Sequence, residues 1–221
     1  MRDFFNRKAP PFKRLPAGLA LAAFLVVGAA AGLSFLAGQP GGQTRQASVA
    51  QTVSQQAGWK VDPEKSRLGI QIIQMGKPVD GAFNTWTASI DFDPDKPEQA
   101  KIAVDVDVAS IALGGVSGQA LGEDFLNAAA HPMARFVTRS VVATGPGTYE
   151  AQATLSLAGQ TAEITLPFTL NVEANRAFVE GEVALERLTF GVGKKGFPGN
   201  SPLGLQVLVK VTLEADKLPT P

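Results

Sequence analysis

Asp91, Asp93 and Asp95 stand at the alternate-residue spacing that opens a calcium loop, where carboxylates offer oxygen ligands to a hard cation. Such a loop needs Gly at its sixth position and a bidentate Glu at its twelfth. Here those positions are Lys96 and Ile102, so the run reads as a turn with solvated carboxylates. Gly191-Val192-Gly193-Lys194-Lys195-Gly196 spells GxGxxG, the spacing that brings backbone N–H groups up to a pyrophosphate. That chemistry needs a helix N-terminus directly afterwards. Phe197-Pro198-Gly199-Asn200-Ser201-Pro202 cannot open one, and the stretch reads as a mobile loop. Gly115-Val116-Ser117-Gly118 begins like a nucleophile elbow but lacks its second spacing. The single histidine, His131, lies far from it in sequence and before Pro132, which suits a loop or ligand-mouth residue better than a triad or a metal. Asp105 and Asp107 alternate with apolar residues, as expected on the wet face of a strand. Cysteine is absent, which removes thiolate nucleophiles, disulfides, Cys-ligated zinc and iron–sulfur clusters. No catalytic constellation and no metal-ligand set emerges, and no cofactor is implied by these residues.

The elements that would position any site are strands. Ile164, Leu166, Phe168, Leu170 and Val172 alternate with Thr165, Thr169 and Asn171, so one face of this strand is apolar and the other faces water. Pro167 cannot donate a ladder bond and marks a bulge or an edge. The same alternation predicts strands over 66–75, 79–92, 101–108, 135–143, 149–157, 161–172, 177–185 and 203–213. Short turns such as Thr144-Gly145-Pro146-Gly147 make most neighbours antiparallel. About eight strands at this spacing make an all-β barrel or sandwich, and a barrel of that size is either filled by its own side chains or encloses one small ligand. The only substantial helical stretch outside the N-terminal region is 123–129, with Phe125 and Leu126 turned to the sheet.

The first 57 residues are of another kind. Arg2, Arg7, Lys8, Lys13 and Arg14 face a single Asp3, whereas the chain as a whole sums to a net charge of zero, so the remainder is acidic. An acidic folded part is, as a whole, a poor match to nucleic acid or to an anionic lipid surface. Residues 15–36 carry no charge and are long enough to span a bilayer core. Positive-inside then puts 1–14 in the cytoplasm as a basic tail, 15–38 in the membrane as a transmembrane helix, and all that follows outside. The alternative is a cleavable signal peptide ending in Ala29-Ala30-Ala31. Gly28 and Gly32 have the GxxxG spacing that allows a weak dimer of membrane helices. Residues 39–57, rich in Gln, Ser, Gly and Ala, read as a flexible linker, 58–216 as the barrel and 217–221 as a tail.

Several short motifs, in order, resemble the YceI-like family. They are Met75-Gly76-Lys77-Pro78-Val79-Asp80-Gly81-Ala82-Phe83, Ala109-Ser110-Ile111, Asp124-Phe125-Leu126-Asn127 through His131-Pro132 to Arg135-Phe136, Leu155-Ser156-Leu157-Ala158-Gly159-Gln160-Thr161, Thr165-Leu166-Pro167-Phe168, and Arg187-Leu188-Thr189-Phe190-Gly191-Val192-Gly193. The resemblance implies an antiparallel lipocalin-like barrel, exported to the bacterial periplasm, that holds a polyisoprenoid or quinone-like lipid and catalyses nothing. It also implies a b561-type cytochrome as a partner. Thr189 stands where the family usually has an acid, and the charged pattern ahead of the helix is reduced to Gly118-Gln119-Ala120-Leu121-Gly122-Glu123, so head-group recognition is expected to differ. Ile70, Ile72, Trp86, Ile90, Val104, Val106, Phe136, Leu166, Phe168 and Val209 are the expected lumen wall. The competing expectation is a structural or stress-response barrel with a packed interior that acts by protein contact.

Overall fold

Alternation of apolar and polar residues produces long, curved strands that close on themselves. The computed structural model describes residues 58–219. The strands are β1 (Gly58–Val61), β2 (Arg67–Gln74), β3 (Lys77–Phe83), β4 (Trp86–Asp91), β5 (Lys101–Asp107), β6 (Ile111–Ala112), β7 (Met133–Gly145), β8 (Thr148–Leu157), β9 (Gln160–Glu173), β10 (Arg176–Glu186) and β11 (Leu203–Lys217), with one short helix, α1 (Ser117–Ala120). All pairings are antiparallel, in the order β1-β4-β5-β7-β8-β9-β10-β11-β2-β3-β6, and β1 pairs with β11 to close the ring. The segments β1 and β2, β3 and β4, and β5 and β6 each form one interrupted stave, which makes a closed eight-stranded barrel.

The interruptions account for most departures from the sequence reading. The expected strand 79–92 is broken at Asn84 and Thr85, because the neighbouring stave also breaks there. Asp107 Oδ1 accepts from Ala109 N at 2.9 Å and shapes the turn Val108–Ser110, whose Ser110 Oγ accepts from Thr85 N at 3.0 Å. Trp59 lies in β1, a strand outside the predicted set, which pairs with β4 at Ile90 and with the end of β11. Pro167 lies where β9 parts from β10: their pairing ends at Phe168 with Gly181, so the missing donor faces an unpaired edge, as expected.

The helix is misplaced in the sequence reading. It occupies Ser117–Ala120, and 123–129 is a series of turns. Leu126 N donates to Ala120 O, Asn127 N to Gly122 O and Ala128 N to Leu121 O, spacings too long for an α-helix, and Asn127 has φ +47°. Leu126 is nevertheless buried against the sheet, as expected. Among the described residues no helix is long and apolar enough to cross a membrane. The expectations for 1–14, 15–38 and 39–57, including Gly28 and Gly32, lie outside the described residues.

Two apolar clusters hold the barrel. One, at the end where β7 turns into β8 and β9 into β10, contains Trp59, Phe92, Val141, Tyr149, Leu213 and Ala215. Trp59 Nε1 donates to Phe92 O at 2.8 Å, Phe92 meets Tyr149 edge-on at 5.3 Å, and Tyr149 stacks on Phe168 at 5.3 Å. This is the barrel's floor. The other contains Ile70, Val106, Val108, Ile111, Leu113, Leu126 and Ala134, beneath the α1 segment. Gly81 permits that segment to fold inward: a Cβ there would lie 2.4 Å from Ala112 O and 2.7 Å from Leu113 Cδ1. Gly81→Ala is therefore expected to force β3 and β6 apart and cost about 1–3 kcal/mol, the usual range for overpacking. A urea titration checks this, and an unchanged midpoint would show that the contact yields freely.

Candidate functional site

Inward-facing side chains leave a cavity of about 470 Å³ running from the floor to the opposite, open end. All ten expected wall residues line it: Ile70 and Ile72 from β2, Trp86 and Ile90 from β4, Val104 and Val106 from β5, Phe136 from β7, Leu166 and Phe168 from β9, and Val209 from β11. Of these only Ile70 and Val106 are buried and the other eight are half-buried, although all point inward. A packed barrel would bury them all. Small residues make the room: Ala151, Ala177 and Gly181 line the cavity where larger side chains would fill it. The packed-interior alternative does not fit this geometry.

The lining is almost wholly apolar. Apart from the two tryptophans, only Gln74, Gln119, Arg135 and Arg187 among the described residues bring polar side chains to it. Among the described residues no carboxylate, hydroxyl, thiol, imidazole or amine lines the cavity, so the described wall offers no group suited to acid–base or nucleophilic work. The other expected chemical residues lie elsewhere. Asp93 Oδ1 accepts from Asp95 N at 3.0 Å in a turn, and Asp105 pairs with Arg135 at 3.3 Å. The His131 ring packs over Gly159, where a Cβ would meet Nε2 at 2.6 Å, and it does not line the cavity. Among the described residues no group of three or more His, Asp or Glu could hold a metal.

The mouth was the least legible part. Residues 191–202, expected to be mobile, are pinned by Arg187, which is only 2 % exposed. Its Nε donates to Gly204 O at 2.8 Å, Nη1 to Val192 O at 2.8 Å, and Nη2 to Phe197 O at 2.5 Å and Gly199 O at 2.8 Å, with a longer contact to Leu203 O at 3.3 Å. Desolvation pushes the guanidinium pKa below its usual value, and the nearby charge of Glu186 partly offsets this. Gly193, the middle glycine of the GxGxxG run, serves this anchor rather than a phosphate: its φ is +67°, and a Cβ would press on Arg187 Nη1 at 3.1 Å. No helix follows Gly196. The pinned loop meets the 121–127 turns across the mouth. Gly193 N donates to Asp124 O at 2.7 Å, and the Phe125 and Phe197 rings lie 5.9 Å apart, both lining the cavity. Arg187 follows a strand ending in Glu186, a place that ordinarily marks a solvated cation. Periodicity gives no sign of its burial, and its position in the family-like motif was the one available signal.

The YceI-like domain matches residues 59–215. A UPF0312 protein of Pseudomonas syringae pv. tomato is 32% identical over 155 residues, 66% of this chain and 77% of its own. Another, from Pseudomonas fluorescens, is 29% identical over 73% of this chain and 87% of its own. Among solved structures, Burkholderia cenocepacia BcnA is 29% identical with a TM-score of 0.68, covering 70% of this chain and 99% of its own. A polyisoprenoid binding domain from Saccharophagus degradans shares the fold at 14% identity and a TM-score of 0.58, covering 73% of this chain and 99% of its own. With a hollow apolar barrel of this topology and a match across nearly all of it, the chain belongs to the YceI-like family.

Proposed function

We propose that the protein is a binding protein that sequesters or carries a polyisoprenoid or quinone-like lipid in its barrel, without catalysis and without a further cofactor. The observation that carries this reading is the cavity itself, open at one end and walled by aliphatic and aromatic side chains. Each methylene withdrawn from water gains about 0.8 kcal/mol, so about ten carbons supply ~8 kcal/mol, enough for micromolar binding before ordering costs. A ligand held by area alone needs few polar contacts. The Saccharophagus domain of the same fold, named for polyisoprenoid binding, supports this ligand class.

The same proposal places the barrel in the periplasm, tethered to the inner membrane by 15–38, with 39–57 as a leash and a b561-type cytochrome as an exchange partner. The uncharged run behind a basic tail supports the tether. Native mass spectrometry of the protein purified from a host that makes isoprenoid quinones, followed by solvent extraction, is the test. The expected result is a co-purifying lipid whose removal leaves a folded barrel able to rebind it. A barrel that carries no lipid and takes up none would overturn the reading.

A further inference from the structure

The mouth of the barrel brings lysines without an ion pair together with an exposed apolar hairpin tip. At the mouth, the β2–β3 hairpin end and the segments 113–132 and 186–202 carry Lys77, Lys194 and Lys195 against Glu123, Asp124 and Glu186, with Arg187 buried behind them. At the floor, the connection 92–100 and the adjoining strand ends carry Asp91, Asp93, Asp95, Glu98, Glu173 and Asp216 against Lys60, Lys96, Lys101, Arg176 and Lys217. Glu123 and Asp124 are engaged by Lys195, whose Nζ lies 3.3 Å from Asp124 and 3.8 Å from Glu123. Lys77 and Lys194 are exposed and make no ion pair among the described residues. Asp80, lower on β3, accepts from Gln71 Nε2 at 2.7 Å, and Glu186 ends β10 beside Arg187.

Apolar side chains stand among these lysines. Met75, at the tip of the β2–β3 turn, is 79 % exposed and held at φ +51°, a region that favours Gly or Asn. Ile73 on the same hairpin is also exposed. The barrel's own packing uses neither of them fully.

We propose that this rim docks on an anionic lipid surface, with Met75 and Ile73 entering the headgroup layer and Lys77 and Lys194 lying against phosphate. The proposal deepens the lipid-carrier reading and rests on it, because a tail passes between bilayer and lumen with least exposure to water when the mouth meets the membrane. Charge favours a bilayer over a second copy of the chain, which would bring the same lysines face to face.

The barrel, residues 58–221, closes its own ring and contains both apolar clusters, so it can be tested alone. Sedimentation with phosphatidylcholine vesicles, with and without phosphatidylglycerol, is the experiment. Stronger partition onto the anionic vesicles is expected, and it should weaken as salt rises. Near such a surface each lysine contributes about fivefold, so Lys77→Glu with Lys194→Glu should lower partition by about tenfold or more. Met75→Asn suits the positive φ and should lower partition on both vesicle types. Lys60→Glu with Lys96→Glu, at the floor, should leave it unchanged. Equal partition onto both vesicle types, or an equal loss from the floor variant, would overturn the proposal. Native mass spectrometry of the same samples separates the two readings: a retained lipid in a barrel that does not bind vesicles places the failure in docking, and an absent one places it in the carrier reading.

Discussion

Arg187→Met is expected to lower stability by about 3–5 kcal/mol, among the largest single-residue effects in the barrel. The guanidinium donates to the carbonyls of Val192, Phe197, Gly199 and Gly204, and no carboxylate forms a salt bridge with it among the described residues. A cation stripped of water is tolerated only when its donors are filled, and here backbone acceptors do the filling. Methionine matches the length but leaves those carbonyls without a donor. The carbonyls of Phe197 and Gly199 belong to a surface loop and can turn toward water, so the loss falls short of the sum of the bonds. Arg187→Lys, with three donors in place of five, should recover only part of the loss. A urea midpoint gives the energy. Amide exchange gives the location: 191–202 should exchange faster while β8 stays protected. A midpoint shift of less than about 1 kcal/mol with the loop still protected would show that the mouth is organised without this side chain.

The contrast between wall and mouth shows what a sequence can reveal. Wall residues were legible because strand geometry is periodic: once Leu166 and Phe168 face inward, alternation assigns their neighbours, and closure of the sheet brings β2, β5 and β11 onto the same lumen. Breaks in the staves were not legible, because Asn84 and Thr85 depart from the strand only in response to Ser110, a residue in the turn between β5 and β6. Arg187, Phe125 and Phe197 meet through loops whose paths have no repeat to extrapolate. The floor lay between these cases: Tyr149 and Phe92 fit the alternation, but their edge-on contact depends on the closed ring. Hollowness itself was beyond pattern, since a filled and an empty barrel share the same alternation. It depends on summed side-chain volume, and Ala151, Ala177 and Gly181 tip that sum toward a cavity.

The sharpest separation of a hollow barrel from a packed one comes from adding volume. Val104 on β5 and Val209 on β11 both line the cavity and remain only half-buried. Changing both to Phe in a packed core would force side chains off their rotamers and cost about 1–3 kcal/mol for each site. In an open lumen the added rings meet empty space and gain contact with the wall, so thermal stability of the lipid-free barrel should hold or rise. Lipid binding should move the other way. Excluding about four carbons of tail forfeits ~3 kcal/mol, a weakening of about two hundredfold. The two readouts are opposite in sign, which no general damage to the fold can imitate, because a damaged barrel loses stability and ligand together. A stability loss matching the packed-core figure with lipid affinity intact would mean that the tail does not occupy the lumen between β5 and β11.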